Sequence, residues 1–210
     1  MDEISIIANI QKRHGANLQH WRADDTSYSV TFRLAGSMPS LAMKGIADQR
    51  RDIMQTAAYV KRTLSKQELD QLEELHFKEL NILHIERGAC FLKDERVAQI
   101  VADALRHFDG ERYRLLAWSI MPNHVHVVVR PFSGYDVSDI MHSWKSFSAN
   151  EANRILERRG AFWQKESYDY LIRSEDDLQR CVEYTWSNPD KAGLKNWKWR
   201  WKMNTSTELR

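Results

Sequence analysis

Two apolar segments joined by a Pro-Asn turn constrain the fold more strongly than any other part of the chain. Segments 113–120 and 124–130 are rich in branched and aromatic residues, and the dipeptide at 122–123 supplies turn chemistry. This arrangement predicts an antiparallel β-hairpin. Because side chains alternate between the faces of a strand, His124 and His126 point to one side and the intervening valines to the other.

Periodic patterns elsewhere predict a further strand and a series of helices. Segment 27–33 alternates as a strand does. Ser65, Asp94 and Ser174 are typical helix N-caps, and Pro189 is expected to end the last helix. The predicted helices cover 41–63, 65–87, 94–108, 135–159 and 174–189, and a short strand or extended loop covers 168–173. This order favours an α+β fold, an antiparallel sheet flanked by helices.

The chain length of 210 residues suits one domain with extensions. Residues 1–27 lack clear periodicity and are expected to form an N-terminal arm, and 203–210 a C-terminal tail. The domain is expected over 28–202, with 41–86 as a helical insertion of undetermined role.

Composition favours a globular protein of the cytoplasm. Hydrophobic residues make up 42% and charged residues 29%. No apolar run approaches the ~20 residues of a membrane-spanning helix, and the start of the chain lacks a secretory signal, so no membrane partner is expected. Cys90 and Cys181 lack metal-type spacing and are expected to be reduced thiols. The net charge of +2 does not indicate nucleic acid, although 191–202 is locally basic.

The histidine pair and the last predicted helix carry the candidate chemistry. Two imidazoles one pleat repeat apart can bind one divalent metal ion. Tyr184 and Asn188 are four residues apart, so they share a helix face, and an amide oxygen could complete a set with His124 and His126. Such a set suits Mg²⁺ or Mn²⁺. The alternatives are ordinary histidines on a half-exposed strand, a partly buried tyrosine, and an asparagine at a helix end.

Several separated motifs, in order, resemble one protein family. They are VTFRL at 30–34, LAWSIMPNHVHVVVRP at 116–131, MHSWKSF at 141–147, GAFWQKE at 160–166 and VEYTWSNPDKAGL at 182–194. Together they resemble the REP-associated tyrosine transposases, bacterial relatives of the single-tyrosine HUH transposases, where HUH means His-hydrophobic-His. The resemblance covers roughly 28–40 and 87–202.

The resemblance implies a ferredoxin-like or RRM-like fold and assigns roles to four residues. His124 and His126 would bind the divalent metal, Asn188 would be the third ligand, and Tyr184 would be the nucleophile. Proteins of this family cleave and rejoin single-stranded DNA that carries palindromic hairpins beside a short tetranucleotide.

The motif around the tyrosine departs from its usual form in relatives. Ser187 and Asp190 replace the residues common there, but the inferred metal ligand is retained.

In the predicted reaction, Tyr184 attacks the scissile phosphate in line and gives a 5′-phosphotyrosine and a free 3′-OH. The covalent bond conserves the energy of the cut, so rejoining needs no ATP. Tyr168 and Tyr170 are rival nucleophiles, but neither has a ligand-type residue four positions later.

Further DNA contacts are predicted outside this set. In the WKWRWK tract near the C-terminus, Trp199 could stack on a base and Arg200 contact a phosphate. The alternative is an edge strand whose tryptophans cover the core. Trp144 and Lys145 on the long helix, and Arg130 on the histidine face, are candidates for backbone contacts, although Lys145 could equally be a solvated helix residue.

The leading prediction is therefore a metal-dependent, single-tyrosine transposase-type nuclease acting on single-stranded DNA in the cytoplasm, associated with the nucleoid through DNA. The alternatives are a domesticated DNA-binding protein that no longer cuts, another HUH enzyme such as a replication initiator or relaxase, and a metal hydrolase of small molecules. Retention of His124, His126, Tyr184 and Asn188 argues against the domesticated DNA-binding protein. Monomer and dimer both stay open.

Overall fold

The computed structural model describes residues 11–14, 19–22, 26–36, 41–60, 62–82 and 88–204. Its strands are β1 Gln11–His14, β2 Gln19–Arg22, β3 Tyr28–Leu34, β4 Tyr113–Ile120, β5 His124–Pro131, β6 Trp163–Leu171 and β7 Arg200–Lys202. Its α-helices are α1 Leu41–Tyr59, α2 Lys66–Ile82, α3 Glu95–Arg106, α4 Val137–Ile155 and α5 Glu175–Lys191, and a short 3₁₀ helix covers Phe91–Lys93.

The main sheet has five antiparallel strands in the order β6-β3-β5-β4-β7. The predicted hairpin is β4–β5, with Ser119 opposite His126. Strand β3 pairs with the other edge of β5, where Thr31 lies opposite His126 and Arg33 opposite His124. The histidine strand is thus the centre of the sheet, and the predicted α+β fold is confirmed.

One face of the sheet is apolar and carries the main core. The valines of β5 meet side chains from α3 and α4, and every residue in this core is buried. Its members include Val30, Phe32, Val101, Leu105, Trp118, Val125, Val127, Val129, Met141 and Trp144. We call this side the apolar face.

The opposite side, which we call the histidine face, carries His124 and His126 and is covered by α2 and α5. A smaller apolar cluster joins the sheet to α5 on this side; it includes Leu116, Ala117, Val128, Tyr170, Leu178, Cys181 and Val182. The histidines themselves are buried.

The predicted helix starts are confirmed by their capping hydrogen bonds. The Ser65 amide donates to Glu68 at 2.9 Å and the Glu68 amide to the Ser65 hydroxyl at 3.3 Å, which forms the capping box. Asp94 accepts from the Arg96 amide at 3.0 Å, and Ser174 caps α5.

The last helix and the strand before it differ from the prediction. Helix α5 does not stop at Pro189 but continues to Lys191. The proline lies in the last turn, where the Trp186 carbonyl accepts a hydrogen bond from Arg200 at 3.0 Å. Strand β6 is longer than the predicted segment 168–173 because it pairs along most of β3.

The predicted insertion consists of α1 and α2, which pack on each other through their own small apolar cluster. Residues 83–87 lie outside the described residues. In the predicted arm, β1 and β2 pair antiparallel, which the sequence did not predict. Most of the predicted tail also lies outside the described residues. Within the described ranges, no helix has the length and apolarity that a membrane span requires.

Candidate active site

The two histidines of β5 form a close pair on the histidine face. The Nε2 atoms of His124 and His126 lie 2.9 Å apart. On the outer sides of the rings, His124 Nδ1 lies 2.6 Å from Asn123 Oδ1 and His126 Nδ1 lies 2.8 Å from Thr31 Oγ1. Because Asn123 Oδ1 only accepts, His124 Nδ1 is the donor, and the lone pair of a neutral His124 is on Nε2. These outer contacts orient the two rings so that both Nε2 atoms point toward a common place on the histidine face.

Helix α5 packs on this side of the sheet and carries Tyr184 and, one turn later, Asn188. Asn188 is 0% exposed, and neither its Oδ1 nor its Nδ2 has a hydrogen-bond partner among the described residues. Leaving such a buried polar group unpaired costs about 1–3 kcal/mol, so it marks a position where a ligand is expected. The Tyr184 ring lies edge-on to His126, with ring centroids 6.2 Å apart. The structure thus places Tyr184 beside His126, with Asn188 buried one turn further along α5.

The Tyr184 side chain is itself enclosed. Its hydroxyl donates to Asn81 Oδ1 at 3.4 Å, and its ring packs against Phe77 and Leu80 of α2. The Lys191 ammonium lies 4.2 Å from the ring centroid on the other side. Burial raises the pKa of Tyr184 above its usual value, so the phenol is protonated at neutral pH.

Helix α2 also contributes two titratable residues that the sequence analysis missed. His76 is buried and stacks on Tyr170, with ring centroids 4.4 Å apart. Burial lowers the pKa of His76 well below its usual value, and the charges of Arg50 and His126 lower it further. Glu79 accepts a hydrogen bond from Arg50 at 3.0 Å. Both residues lie among the leucines that form the buried side of α2. A histidine and a glutamate on such a side are unusual, and this was the signal in the sequence that could have identified them.

Two strand residues flank the histidines. Arg33 lies beside His124 on β3, and Ser119 lies beside His126 on β4. Both are buried, and Arg33 Nε and Ser119 Oγ have no hydrogen-bond partner in the part of the chain that the structure describes. Burial lowers the pKa of the Arg33 guanidinium, and the charges of Tyr168 and Glu79 oppose that shift.

Unpartnered buried polar atoms therefore concentrate on the histidine face. Among the described residues they are Arg33 Nε, His76 Nε2, Ser119 Oγ, Asn123 Nδ2 and both amide atoms of Asn188, while Trp118 Nε1 and Arg173 Nε lie elsewhere. Folded proteins satisfy most such atoms, so this concentration is typical of a site that receives a ligand.

The donor set fits a divalent ion with octahedral coordination. Adjacent ligands about 2.1 Å from such an ion lie about 3 Å from each other, and the two imidazole Nε2 atoms are 2.9 Å apart. Within the described residues, no group of three or more His, Cys, Asp or Glu side chains is placed to hold a metal. A third protein ligand would therefore be an amide such as that of Asn188.

The two α4 residues that were predicted to contact DNA instead make hydrogen bonds within the protein. The Lys145 ammonium donates to the Gln164 carbonyl and to the Ser167 hydroxyl, each at 2.8 Å, and so links α4 to β6. Trp144 is buried on the apolar face, where its indole donates to the Tyr113 hydroxyl at 2.8 Å. A DNA strand on the histidine face cannot reach this tryptophan.

The C-terminal tract forms the edge strand that was the alternative prediction. Trp199 lies in the main core, and Arg200 is held by the Trp186 carbonyl and the Asp190 carboxylate. Residues 200–202 of the tract pair with β4, and the Trp199 carbonyl accepts a hydrogen bond from the Ile120 amide at 2.9 Å. Arg130 is half-buried on the histidine face and donates to the Ser27 hydroxyl at 3.1 Å.

Of the rival nucleophiles, Tyr170 is buried and donates its hydroxyl proton to Asp177 at 2.9 Å. Tyr168 is half-buried beside Thr31, with the Arg50 guanidinium 5.9 Å from its ring centroid. Tyr184, by contrast, lies between α2 and the histidine pair.

Comparison with known proteins defines the class of protein. The sequence model of the family described as "Transposase IS200 like" matches residues 83–187, half of the chain. The protein is a transposase by family. In particular, the chain belongs to the IS200-like transposases, and the predicted family relationship is confirmed.

A solved structure confirms the fold. The structure of a REP-associated tyrosine transposase bound to a REP hairpin matches with a TM-score of 0.53 and 14% identity, covering 89% of this chain and 82% of that chain. A protein described provisionally as a transposase, from Deinococcus radiodurans R1, matches at 14% identity and a TM-score of 0.40, with 82% and 94% covered. No protein with a curated function matches the chain.

Proposed function

We propose that this transposase is a metal-dependent endonuclease and strand transferase of single-stranded DNA, with Tyr184 as the nucleophile. The observation that carries the proposal is the close pair of His124 and His126 Nε2 atoms beside the Tyr184 ring, with the buried, unpartnered amide of Asn188 one helical turn beyond Tyr184. We assign this activity to the domain over 28–202.

The metal ligands in this proposal are His124, His126 and Asn188, and the ion is Mg²⁺ or Mn²⁺. The fit rests on the spacing of the histidine nitrogens and on the unpartnered amide. When bound, the ion would stabilise negative charge on the phosphate oxygens and the leaving group. Thr31 and Asn123 would keep the imidazoles oriented, as outer partners of metal-binding histidines do.

Tyr184 would attack the scissile phosphorus and form a 5′-phosphotyrosine bond while the bond to the 3′-oxygen breaks. The proton lost by the phenol balances the proton taken up by the leaving 3′-oxygen. Attack by the 3′-OH of another strand reverses the step, because the phosphotyrosine bond retains the energy of the broken bond.

Single-stranded DNA with palindromic hairpins is the proposed substrate. The family relationship supports DNA processing, and the solved transposase of similar fold is bound to a REP hairpin. Arg130 is the predicted contact best suited to a phosphate, because it is half-buried on the histidine face. Lys145 and Arg200 would first have to release internal acceptors, and the buried Trp144 and Trp199 are left out.

A second candidate function is DNA binding without cutting. The burial of Tyr184, and the contact of its hydroxyl with Asn81, favour it. Such a protein would bind the same hairpins but never form a covalent bond with them.

One assay distinguishes the two. The protein is incubated with Mn²⁺ and a labelled single-stranded hairpin oligonucleotide, and a protein–DNA band that survives denaturation is sought. We expect such a band, its loss with a chelator, and a decrease of at least about a thousandfold in Tyr184→Phe. Tyr168→Phe is the matched control, and a band that persists in Tyr184→Phe would transfer the nucleophilic role to another residue.

A further inference from the structure

A buried carboxylate lies on the histidine face among the groups of the candidate site. Glu79 is 2% exposed, accepts a hydrogen bond from Arg50 at 3.0 Å, and interacts electrostatically with Arg33. Burial raises the pKa of Glu79, and the two guanidinium groups oppose that shift. An anion in this position is stable because two cations neutralise it.

The second cation, Arg33, is immediately beside the histidine pair. It is cross-strand neighbour to His124 on the same face, which brings their Cβ atoms to within about 4.5–5.5 Å. Arg33 is 6% exposed, and its Nε has no hydrogen-bond partner among the described residues. Two guanidinium groups against one carboxylate leave a net positive charge, with hydrogen-bonding capacity unused. Guanidinium groups are well suited to phosphate oxygens.

We propose that Arg33 and Arg50 form a phosphate-binding subsite for the DNA strand, and that Glu79 occupies this subsite when DNA is absent. The ligand class is a phosphodiester. This inference rests on the proposed function, since it concerns the strand that Tyr184 would cut.

The same helix that carries Glu79 also covers the nucleophile. Phe77 and Leu80 pack against Tyr184, and Asn81 accepts its hydroxyl proton. Movement of this end of α2 would therefore release the subsite and the tyrosine together. A DNA phosphate could contact both arginines only after the end of α2 has moved away. The free energy of that contact would therefore favour the state in which the subsite is open.

The end of α2 that carries Glu79 lies beyond the apolar cluster that packs α1 against the first half of α2. This cluster consists of Met54, Ala57, Leu64, Leu69 and Leu72 and is separate from the main core, so the end of α2 can move while α1 and Arg50 stay in place. Near the middle of α2, Glu73 pairs with Arg173 and Arg180, which anchors the helix away from Glu79. The end over the site is held by the packing of Phe77 and Leu80 on Tyr184 and by the Arg50–Glu79 pair, and this pair is the contact that a DNA phosphate would replace.

The test measures the affinity for a fluorescently labelled single-stranded oligonucleotide of mixed sequence, in Tyr184→Phe protein so that no covalent bond forms. Glu79→Gln removes the internal anion and is expected to tighten binding about tenfold. Glu74→Gln is the matched control, because Glu74 lies on the same helix, is exposed and pairs with Lys78. An unchanged affinity in folded Glu79→Gln, or an equal gain in Glu74→Gln, overturns the proposal.

Arg33→Gln supplies the second arm. It is expected to weaken binding, to lower the slope of log affinity against log salt by about one, and to remove the gain from Glu79→Gln. An Arg33→Gln protein that binds with the same affinity and salt slope contradicts the subsite.

Hydrogen exchange of the unsubstituted protein keeps the proposal testable if Glu79→Gln does not fold. Adding the oligonucleotide should speed amide exchange in α2, whereas unchanged or slower exchange there overturns the movement. The covalent-adduct assay is independent of these readouts. If it fails while Glu79→Gln still tightens binding, the nuclease proposal falls and the subsite remains.

Discussion

Both faces of the central sheet are buried, but they differ in how many of their buried polar atoms have hydrogen-bond partners. On the apolar face, the Trp144 indole donates to the Tyr113 hydroxyl, which donates to the Leu105 carbonyl, and Trp118 Nε1 is the exception without a partner among the described residues. On the histidine face, Arg33, Ser119 and others retain buried atoms without partners among the described residues. The difference separates the side that stabilises the fold from the side that is left incomplete for a ligand.

Strand β5 serves both faces at once. Val125, Val127 and Val129 lie in the main core, and the alternate residues include the paired histidines and Val128 on the other face. Because the side-chain period is two, a change at one position can test one face with little direct effect on the other.

The largest expected effect on stability is on the apolar face. Phe32 is buried and packs edge-on against Trp163 with ring centroids 4.8 Å apart. Phe32→Ala should lower the free energy of unfolding by about 3–5 kcal/mol, because it leaves a cavity in the core. Urea unfolding measures this change. The covalent adduct formed per folded molecule should be unchanged, and a large loss there would show that the faces are coupled.

On the histidine face, a substitution should instead raise the free energy of unfolding. Asn188→Leu replaces two unpartnered amide atoms with an apolar group, so the free energy of unfolding should rise by about 1–3 kcal/mol. Adduct formation should be lost, because a metal ligand is removed. Asn153→Leu is the control, at a half-buried asparagine whose side-chain amide has a partner because it donates to the Gly160 carbonyl. A clear loss of stability in Asn188→Leu would contradict the assignment of this face as incomplete.

The histidine face should also make stability depend on pH. The pKa of His76 is lowered in the folded protein by burial first, so below its usual value of 6.5 the unfolded chain binds more protons. The contribution of neutral His76 to the free energy of unfolding should be fully present above pH 6.5. It should decrease as the pH falls below this value, by at most about 1.4 kcal/mol per pH unit. His76→Phe keeps a ring on Tyr170 and should flatten this part of the curve. Identical curves in urea unfolding would refute the prediction.

The smallest effect is expected at the start of α2, away from both faces. Hydrogen bonds from Arg62 and then from the Ser65 amide lower the pKa of Glu68 to about 2. The cap should therefore be complete above pH 4.5, the usual value, and weaken as the pH falls through about 2. An NMR titration measures this pKa. Arg62→Ala should raise it, and a Glu68 that titrates normally in the unsubstituted protein would contradict the capping geometry.

Local signals in the sequence predicted much of the fold. The β4–β5 hairpin and the caps at Ser65, Asp94 and Ser174 are set by neighbouring residues, so they could be recognised directly. The end of α5 at Lys191 was predicted wrongly because the proline falls in a last turn supported by Arg200, a contact distant in sequence.

The site could be predicted only in part. The alternation of β5 and the helical spacing of α5 indicated which side chains share a face. The positions of Arg33, Ser119, His76 and Glu79 depend on strand order and on the packing of α2, and these tertiary features have no local signal. Likewise, the alternating aromatic tract could not reveal whether Trp199 faces solvent or the core, because both place the indoles on one side.

Strand β7 limits how sheets of neighbouring molecules can join. An outer strand presents unpaired backbone groups, and a long apolar one invites a second chain to add to it. This strand has three residues, and its Arg200 and Lys202 form ion pairs with Asp190 and Glu183 of α5. Addition of a foreign strand here would gain few backbone hydrogen bonds and would disturb both ion pairs, so this edge is protected against edge-to-edge aggregation.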